Sequence, residues 1–270
     1  MKSIVRAALV CVAVLYWQPA FAQLAPYNPS GVTYGHVHVS TGNADAMKKM
    51  WVDQFGAELS TKGTFTIAKL PGMMVAFRGT APTGGTEGAA FDHFGLKVPN
   101  LAEFLKKWKA AGFEVQREFK GSEGFPNAFI IGADGLRFEL QEDPAQKVPV
   151  VAYHLHFRVP EPAKLRDWYV DTFGLTPGTS GNFLTAEAPG MRLLFQQSPN
   201  APTVTSTQGR TVDHIGFEVR NLKEFYDKLV ARGVKFDVAF REVPAIGLNI
   251  SYLTDPMGTY IEVTEGYTKY

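Results

Sequence analysis

The histidines of this chain are few and strictly placed. There are six, at His36, His38, His93, His154, His156 and His214, and each stands in a short run of alternating apolar and polar residues, the pattern of a half-buried strand. A single strand histidine is ordinarily a hydrogen-bonded core residue, but six confined to equivalent runs call for a common reason. Imidazole titrates near neutral pH and offers a nitrogen lone pair, so it can carry a proton or ligate a metal. Two glutamates recur in the same way: Glu139 in Asp134-Gly135-Leu136-Arg137-Phe138-Glu139, and Glu262 in Asp255-Pro256-Met257-Gly258-Thr259-Tyr260-Ile261-Glu262. A glutamate between apolar residues on a strand faces solvent or a polar cavity, and its recurrence favours the cavity.

The elements that must position these groups follow from an internal duplication. Phe91 to Val115 lies over Val212 to Phe236 without a gap, matching Asp92/Asp213, His93/His214, Gly95/Gly216, Asn100/Asn221 and Glu103/Glu224 among others. Gly35 to Leu59 lies over Tyr153 to Pro177 in the same way, matching His36/His154, His38/His156 and Gly56/Gly174. The order is A-B-A′-B′. Each unit opens with a strand and passes to a helix; in the B unit Asn100 with Glu103 reads as a capping box, and Gly112 as the C-terminal stop. Three more strand-like runs follow there, around Glu114 to Phe119, Ala128 to Ile131 and Leu136 to Leu140. The grammar is β-α-β-β-β, four times over. The proline-bearing stretch 144–150 reads as a linker, dividing an N-terminal domain at 30–143 from a C-terminal domain at 151–268.

Bulk properties narrow the function. Met1 to Ala22 reads as a secretory signal, with Lys2 and Arg6 ahead of an apolar run and Ala20-Phe21-Ala22 as the cleavage pattern; the expected location is periplasmic or secreted. That run is too short to span a membrane, so no membrane insertion is expected. Cys11, the only cysteine, falls within it, which removes disulfides and thiolate chemistry from the processed chain. A net charge of +1 without like-charge runs gives no footprint for nucleic acid. The expected partner is a small molecule. The glycines at Gly84-Gly85 and Gly121 to Gly124 lack a phosphate-loop context; the stretch Gly121 to Asn127 reads as a flap or a plain hairpin connection.

The four units, their early histidines and the closing Asp-x-x-Gly-x-x-x-Glu run resemble the vicinal oxygen chelate superfamily of glyoxalases, extradiol dioxygenases and antibiotic-resistance proteins. The resemblance implies an α+β protein whose four βαβββ modules form two half-open eight-stranded barrels, each half enclosing its own cavity. It implies that His36, His93 and Glu139 hold one divalent metal, and His154, His214 and Glu262 another. Two imidazoles and a carboxylate leave coordination positions open, as in non-haem Fe(II) oxygenases, so Fe(II) is expected first, with Mn(II) or Zn(II) as alternatives. The further carboxylate of a glyoxalase-type site is missing, since that register holds Ala76 and Leu194. The extradiol closing signature is met from Tyr252 to Glu262, with Phe129 at the Tyr252 register of the first half. The additional histidines of those enzymes, however, have no counterpart between Ile215 and Tyr270 or between Phe183 and Gln197.

His38 and His156 are extra. Residues two apart on a strand share a face about 6.5 to 7 Å apart, so each should look into the cavity as an acid/base group, a fourth ligand, or a support for its neighbour. Together with Tyr252 they are the candidate catalytic residues. Phe119, Phe125, Phe129, Phe183, Phe195, Phe236 and Phe240 are expected to be core residues or to border the cavities. The leading expectation is a metal-dependent, dioxygenase-like enzyme on a small oxygen-chelating substrate, with glutathione-dependent glyoxalase disfavoured. The alternatives are a non-catalytic sequestering protein and a division of labour between the halves. Because the chain supplies its own module pairs, a monomer is expected.

Overall fold

A computed structural model describes residues 24–198 and 205–269 of the chain. The segment read as a secretory signal lies outside the described residues. Four modules follow in order. The first runs through β1 (Val32–Ser40), α1 (Ala44–Phe55), β2 (Glu58–Lys62), β3 (Phe65–Leu70) and β4 (Met73–Arg78). The second runs through β5 (Phe91–Val98), α2 (Leu101–Ala110), β6 (Glu114–Lys120), β7 (Pro126–Ile131) and β8 (Arg137–Glu142). The third has β9 (Val151–Val159), α3 (Pro162–Phe173), β10 (Thr176–Ser180), β11 (Phe183–Ala188) and β12 (Met191–Gln197); the fourth has β13 (Val212–Val219), α4 (Leu222–Ala231), β14 (Val238–Val243), β15 (Leu248–Thr254) and β16 (Tyr260–Glu265).

The helix signals act as read. The Asn100 side chain accepts from the Glu103 N–H at the start of α2, and Asn221 does the same for Glu224 at the start of α4. Each satisfies a backbone donor that the first helical turn leaves without a partner. Gly112, just past α2, has φ +84°, a left-handed conformation that a side chain would strain.

The sheets, however, do not follow the halves of the chain. One eight-stranded sheet has the order β14-β15-β16-β13-β1-β4-β3-β2, joining the fourth module to the first. The other has the order β10-β11-β12-β9-β5-β8-β7-β6, joining the third to the second. The expectation that each half closes its own sheet is corrected here. Each seam is an antiparallel pairing of first strands, β1 with β13 and β5 with β9, and within every module the first strand runs parallel to the last. The sheets are half-open, not closed barrels.

The two modules of each half do meet, through their apolar layers. Trp51 and Phe55 of α1 pack on Phe138 of the second module, with Trp51 also on Phe94, and Trp108 of α2 joins them. Phe173 of α3 stacks on Phe217 of β13 at 4.2 Å between ring centroids, and the Tyr169 hydroxyl donates to the buried Asp255 carboxylate at 2.9 Å. Such aromatic pairs add to the burial of 150 to 250 Å² per ring. The two equivalent connections between modules also run together: Thr83 N–H donates to Gly209 O, and Thr211 N–H to Gly84 O. The chain therefore stacks the two modules of each half face to face and pairs modules of opposite halves edge to edge.

Candidate metal centre

Two sites form, one at each seam. In the β1/β13 site, His36 Nε2 lies 2.9 Å and His214 Nε2 3.2 Å from the same atom, Glu262 Oε2. His214 Nδ1 is 2.6 Å from Asp213 Oδ1, which turns its Nε2 edge toward the centre. Tyr252 donates its hydroxyl to Glu262 Oε1 at 2.6 Å, and Tyr267 stacks on His36 at 4.5 Å.

The β5/β9 site repeats the plan with other supports. His93 Nε2 lies 3.0 Å and His154 Nε2 3.4 Å from Glu139 Oε2. His93 Nδ1 is 3.2 Å from Asp92, whose carboxylate is itself gripped by Arg137 at 2.5 and 2.6 Å. Asn127 donates to Glu139 Oε1 at 2.7 Å, where the first site has Tyr252. Phe129 faces Glu139 in the ladder as Tyr252 faces Glu262.

The six expected ligands are therefore brought together, but in crossed sets. His36 joins His214 and Glu262; His154 joins His93 and Glu139. The expected groups His36/His93/Glu139 and His154/His214/Glu262 are corrected, because a module's first strand is hydrogen-bonded to the first strand of a module from the other half. His156 also enters the second set, with ligand atoms of all four residues within 4.8 Å of one another. His38 remains outside the first set while its ring stays 4.6 Å from that of His214.

A glycine makes each approach possible. The His36 ring lies across Gly216, where a Cβ would come 2.1 Å from Cε1, and the His154 ring lies across Gly95, where it would come 2.3 Å. Both glycines, and the aspartates Asp92 and Asp213, were visible as matched Asp-His-x-Gly runs but carried no assigned role in the sequence. Asn127, Tyr267 and Arg137 left no repeated signal, since their equivalents in the other half differ.

Burial and hydrogen bonding set the protonation. Burial raises the Glu139 and Glu262 carboxyls, but hydrogen bonds from their histidines more than reverse this and hold both well below the usual carboxylate range. Burial lowers His214, yet its bonds to Asp213 and Glu262 bring it up to about 9; His93 is raised by the same balance with Asp92 and Glu139. His36 and His154 are lowered, chiefly by burial. His38 and His156 are lowered much further, by burial and then by neighbouring His214 and His93 respectively. The two nitrogens of His156, and Nδ1 of His36 and His154, are buried without a hydrogen-bond partner among the described residues. Two imidazole nitrogens that share protons with one carboxylate oxygen, with further unsatisfied imidazole nitrogen beside them, are a donor set that a divalent cation could occupy in place of those protons.

Each site opens into a cavity, of about 520 Å³ at β1/β13 and about 570 Å³ at β5/β9. His38, Tyr252 and Tyr260 line the first; His156, Phe119, Phe129 and Phe183 line the second. Phe195 is core, and Phe125 is exposed on the loop between β6 and β7. That loop is tied down rather than free, as Glu123 accepts from Tyr153 at 2.7 Å and from Gln141 at 2.8 Å.

Comparison with known proteins agrees with this architecture. Residues 152–263 match the model of the Glyoxalase/Bleomycin resistance protein/Dioxygenase superfamily. Glyoxalase I from Zea mays superposes with a TM-score of 0.67 at 15% identity, covering 88% of this chain and 94% of that one. A candidate dioxygenase from Bacillus subtilis subsp. subtilis strain 168 superposes with a TM-score of 0.69 at 14% identity, covering 91% of this chain and 88% of that one. At such identities the likeness concerns the fold. No curated protein matches the chain in sequence. The molecule is a tandem-duplicated protein of the vicinal oxygen chelate fold, similar over residues 152–263 to the Glyoxalase/Bleomycin resistance protein/Dioxygenase superfamily.

Proposed function

We propose that the protein is a divalent-metal-dependent enzyme with dioxygenase-like chemistry on a small substrate that chelates through adjacent oxygens. The observation that carries this reading is the convergence of two imidazole nitrogens on one carboxylate oxygen at the base of each cavity. A bound cation, Fe(II) first and Mn(II) or Zn(II) otherwise, would supply a Lewis-acid centre with positions left for substrate. The chain's own groups then divide the work. Asp213 and Asp92 fix the tautomers of His214 and His93, and Tyr252 and Asn127 hold the second oxygens of the glutamates. His38 and His156, buried and neutral, are placed to accept a proton from a substrate hydroxyl.

A glyoxalase I reaction is disfavoured, because the strand position beside each extra histidine is apolar: Ala76 pairs with His38 and Leu194 with His156. A non-catalytic sequestering protein is the second reading, favoured if a ligand binds equally with and without a chelator and no product forms. The reading of residues 1–22 as a secretory leader supports a periplasmic or secreted location, and the intramolecular completion of both sheets supports a monomer.

Elemental analysis of the purified mature protein tests the reading. Two equivalents of metal per chain are expected, falling to one in Glu262→Gln and to one in Glu139→Gln. Metal content unchanged in both variants would overturn it.

A further inference from the structure

The two cavities share a plan at the base and differ in charge on their walls. On β9 the inward side chains run His154, His156, Arg158; at the matching positions of β1 they run His36, His38, Ser40. Arg137 stands beside Glu139 where Tyr260 stands beside Glu262, and Arg117 pairs with Phe129 where Val238 pairs with Tyr252. At three equivalent inward positions a cation on one side thus meets a neutral group on the other. With Lys120, the β5/β9 wall carries four cations against one carboxylate, Glu139. The β1/β13 wall carries two, Lys62 and Arg241, against Asp213, Glu242 and Glu262.

The cations differ in how far they are committed. Arg137 is taken up by Asp92. Arg117 lies over Phe119 at 4.6 Å, a stacking that leaves the edge of its guanidinium open. Arg158 is half-buried, and among the described residues neither it nor Arg117 has a carboxylate within ion-pair reach. Arg117 is exposed and Arg158 partly buried, and an arginine that lines a cavity without a counter-charge is matched best by an anion that arrives with the ligand.

We propose that the β5/β9 cavity takes a small molecule bearing a carboxylate or phosphate group, bound on Arg158 and Arg117 with Lys120 at the rim, whereas the β1/β13 cavity takes an uncharged one against its tyrosines. The proposal rests on the metal reading only for which end of the ligand faces the histidines. One duplicated scaffold then serves two substrates distinguished by charge.

Calorimetric titration of the full mature chain, reconstituted with Zn(II) so that no turnover intervenes, tests this with catechol and 3,4-dihydroxybenzoate, which differ by one carboxylate. Charge-assisted bonds of this kind are worth about tenfold or more in affinity. Arg158→Ser should weaken 3,4-dihydroxybenzoate about tenfold at one cavity and leave catechol unchanged, while Arg158→Lys keeps most of the preference. Ser40→Arg should create a second site that prefers the benzoate. Equal affinity for the two probes, no binding of either, or an Arg158→Ser protein that keeps the preference would overturn it. Circular dichroism on the same samples confirms that each variant is folded. Elemental analysis of those samples separates the two readings. A chain without metal that still shows the Arg158-dependent preference refutes the metal centre alone, and a metal-loaded chain without the preference refutes the charge selection alone.

Discussion

His36 and Glu262 are 226 residues apart in the chain, yet His36 Nε2 lies 2.9 Å from Glu262 Oε2. Neither centre belongs to one half of the molecule. Both depend on the antiparallel seams that bind β1 to β13 and β5 to β9.

Cutting the chain between the halves should therefore leave it whole. Residues 143–150 join β8 to β9 without strand or helix, and much of that stretch is exposed. A protease site introduced there should give two fragments that co-elute as a single species and part only in denaturant, because two complete strand ladders hold them. Fragments that separate under native conditions would mean the halves close their own sheets.

The glycines under the histidine rings should be intolerant. Gly216→Ala sets a Cβ 2.1 Å from His36 Cε1, and Gly95→Ala sets one 2.3 Å from His154 Cε1. Since neither strand backbone can withdraw, the imidazole must swing away, at a cost of about 1 to 3 kcal/mol. Each variant should lose one metal equivalent and keep the other; full loading of Gly216→Ala would show that His36 is not a ligand.

Tyr252→Phe places a phenylalanine at the register of Phe129, without the amide that Asn127 gives to Glu139 there. It removes the 2.6 Å bond to Glu262 Oε1, which should cost about 1 kcal/mol of stability and leave metal content unchanged. If the hydroxyl also orients or protonates substrate, turnover at that cavity falls about a hundredfold. Unchanged turnover would limit Tyr252 to holding the carboxylate.

Stability should depend on pH through Asp255, remote from both sets of ligands. Burial raises its carboxyl above the ordinary value, against the opposing bonds from Thr259, Met257 and Tyr169. A carboxyl raised by folding binds its proton more readily in the native state, so its ionised form is a cost above the folded pKa. That cost disappears as pH falls below the unfolded value. Asp255→Asn keeps the backbone bonds at Oδ1 and has no such dependence. Urea unfolding from pH 7 to pH 4 should show the native protein gaining on the variant as pH falls. A constant difference would refute the assignment.

Much of this protein was legible before its structure. The Asn100 and Asn221 caps, the αL glycine after α2 and the alternating strand runs are local, because each depends on residues within a turn or two. The repeat located all six histidines on first strands and both glutamates on last strands, and the structure puts them there. The walls were less legible: Asn127, Tyr267 and Arg158 have no like residue at the equivalent place, so the repeat gave no signal for them.

The sequence by itself determined the module, its number and the donor atoms. Only the tertiary structure decided which donors share a centre. The modules are near copies, so a first strand finds the same hydrogen-bonding edge on either neighbour, and nothing local distinguishes the two pairings. The distinction lies in contacts between distant residues, such as Trp51 on Phe138 and Phe173 on Phe217. These commit the two modules of each half to pack through their apolar layers and leave their edges for modules from the other half.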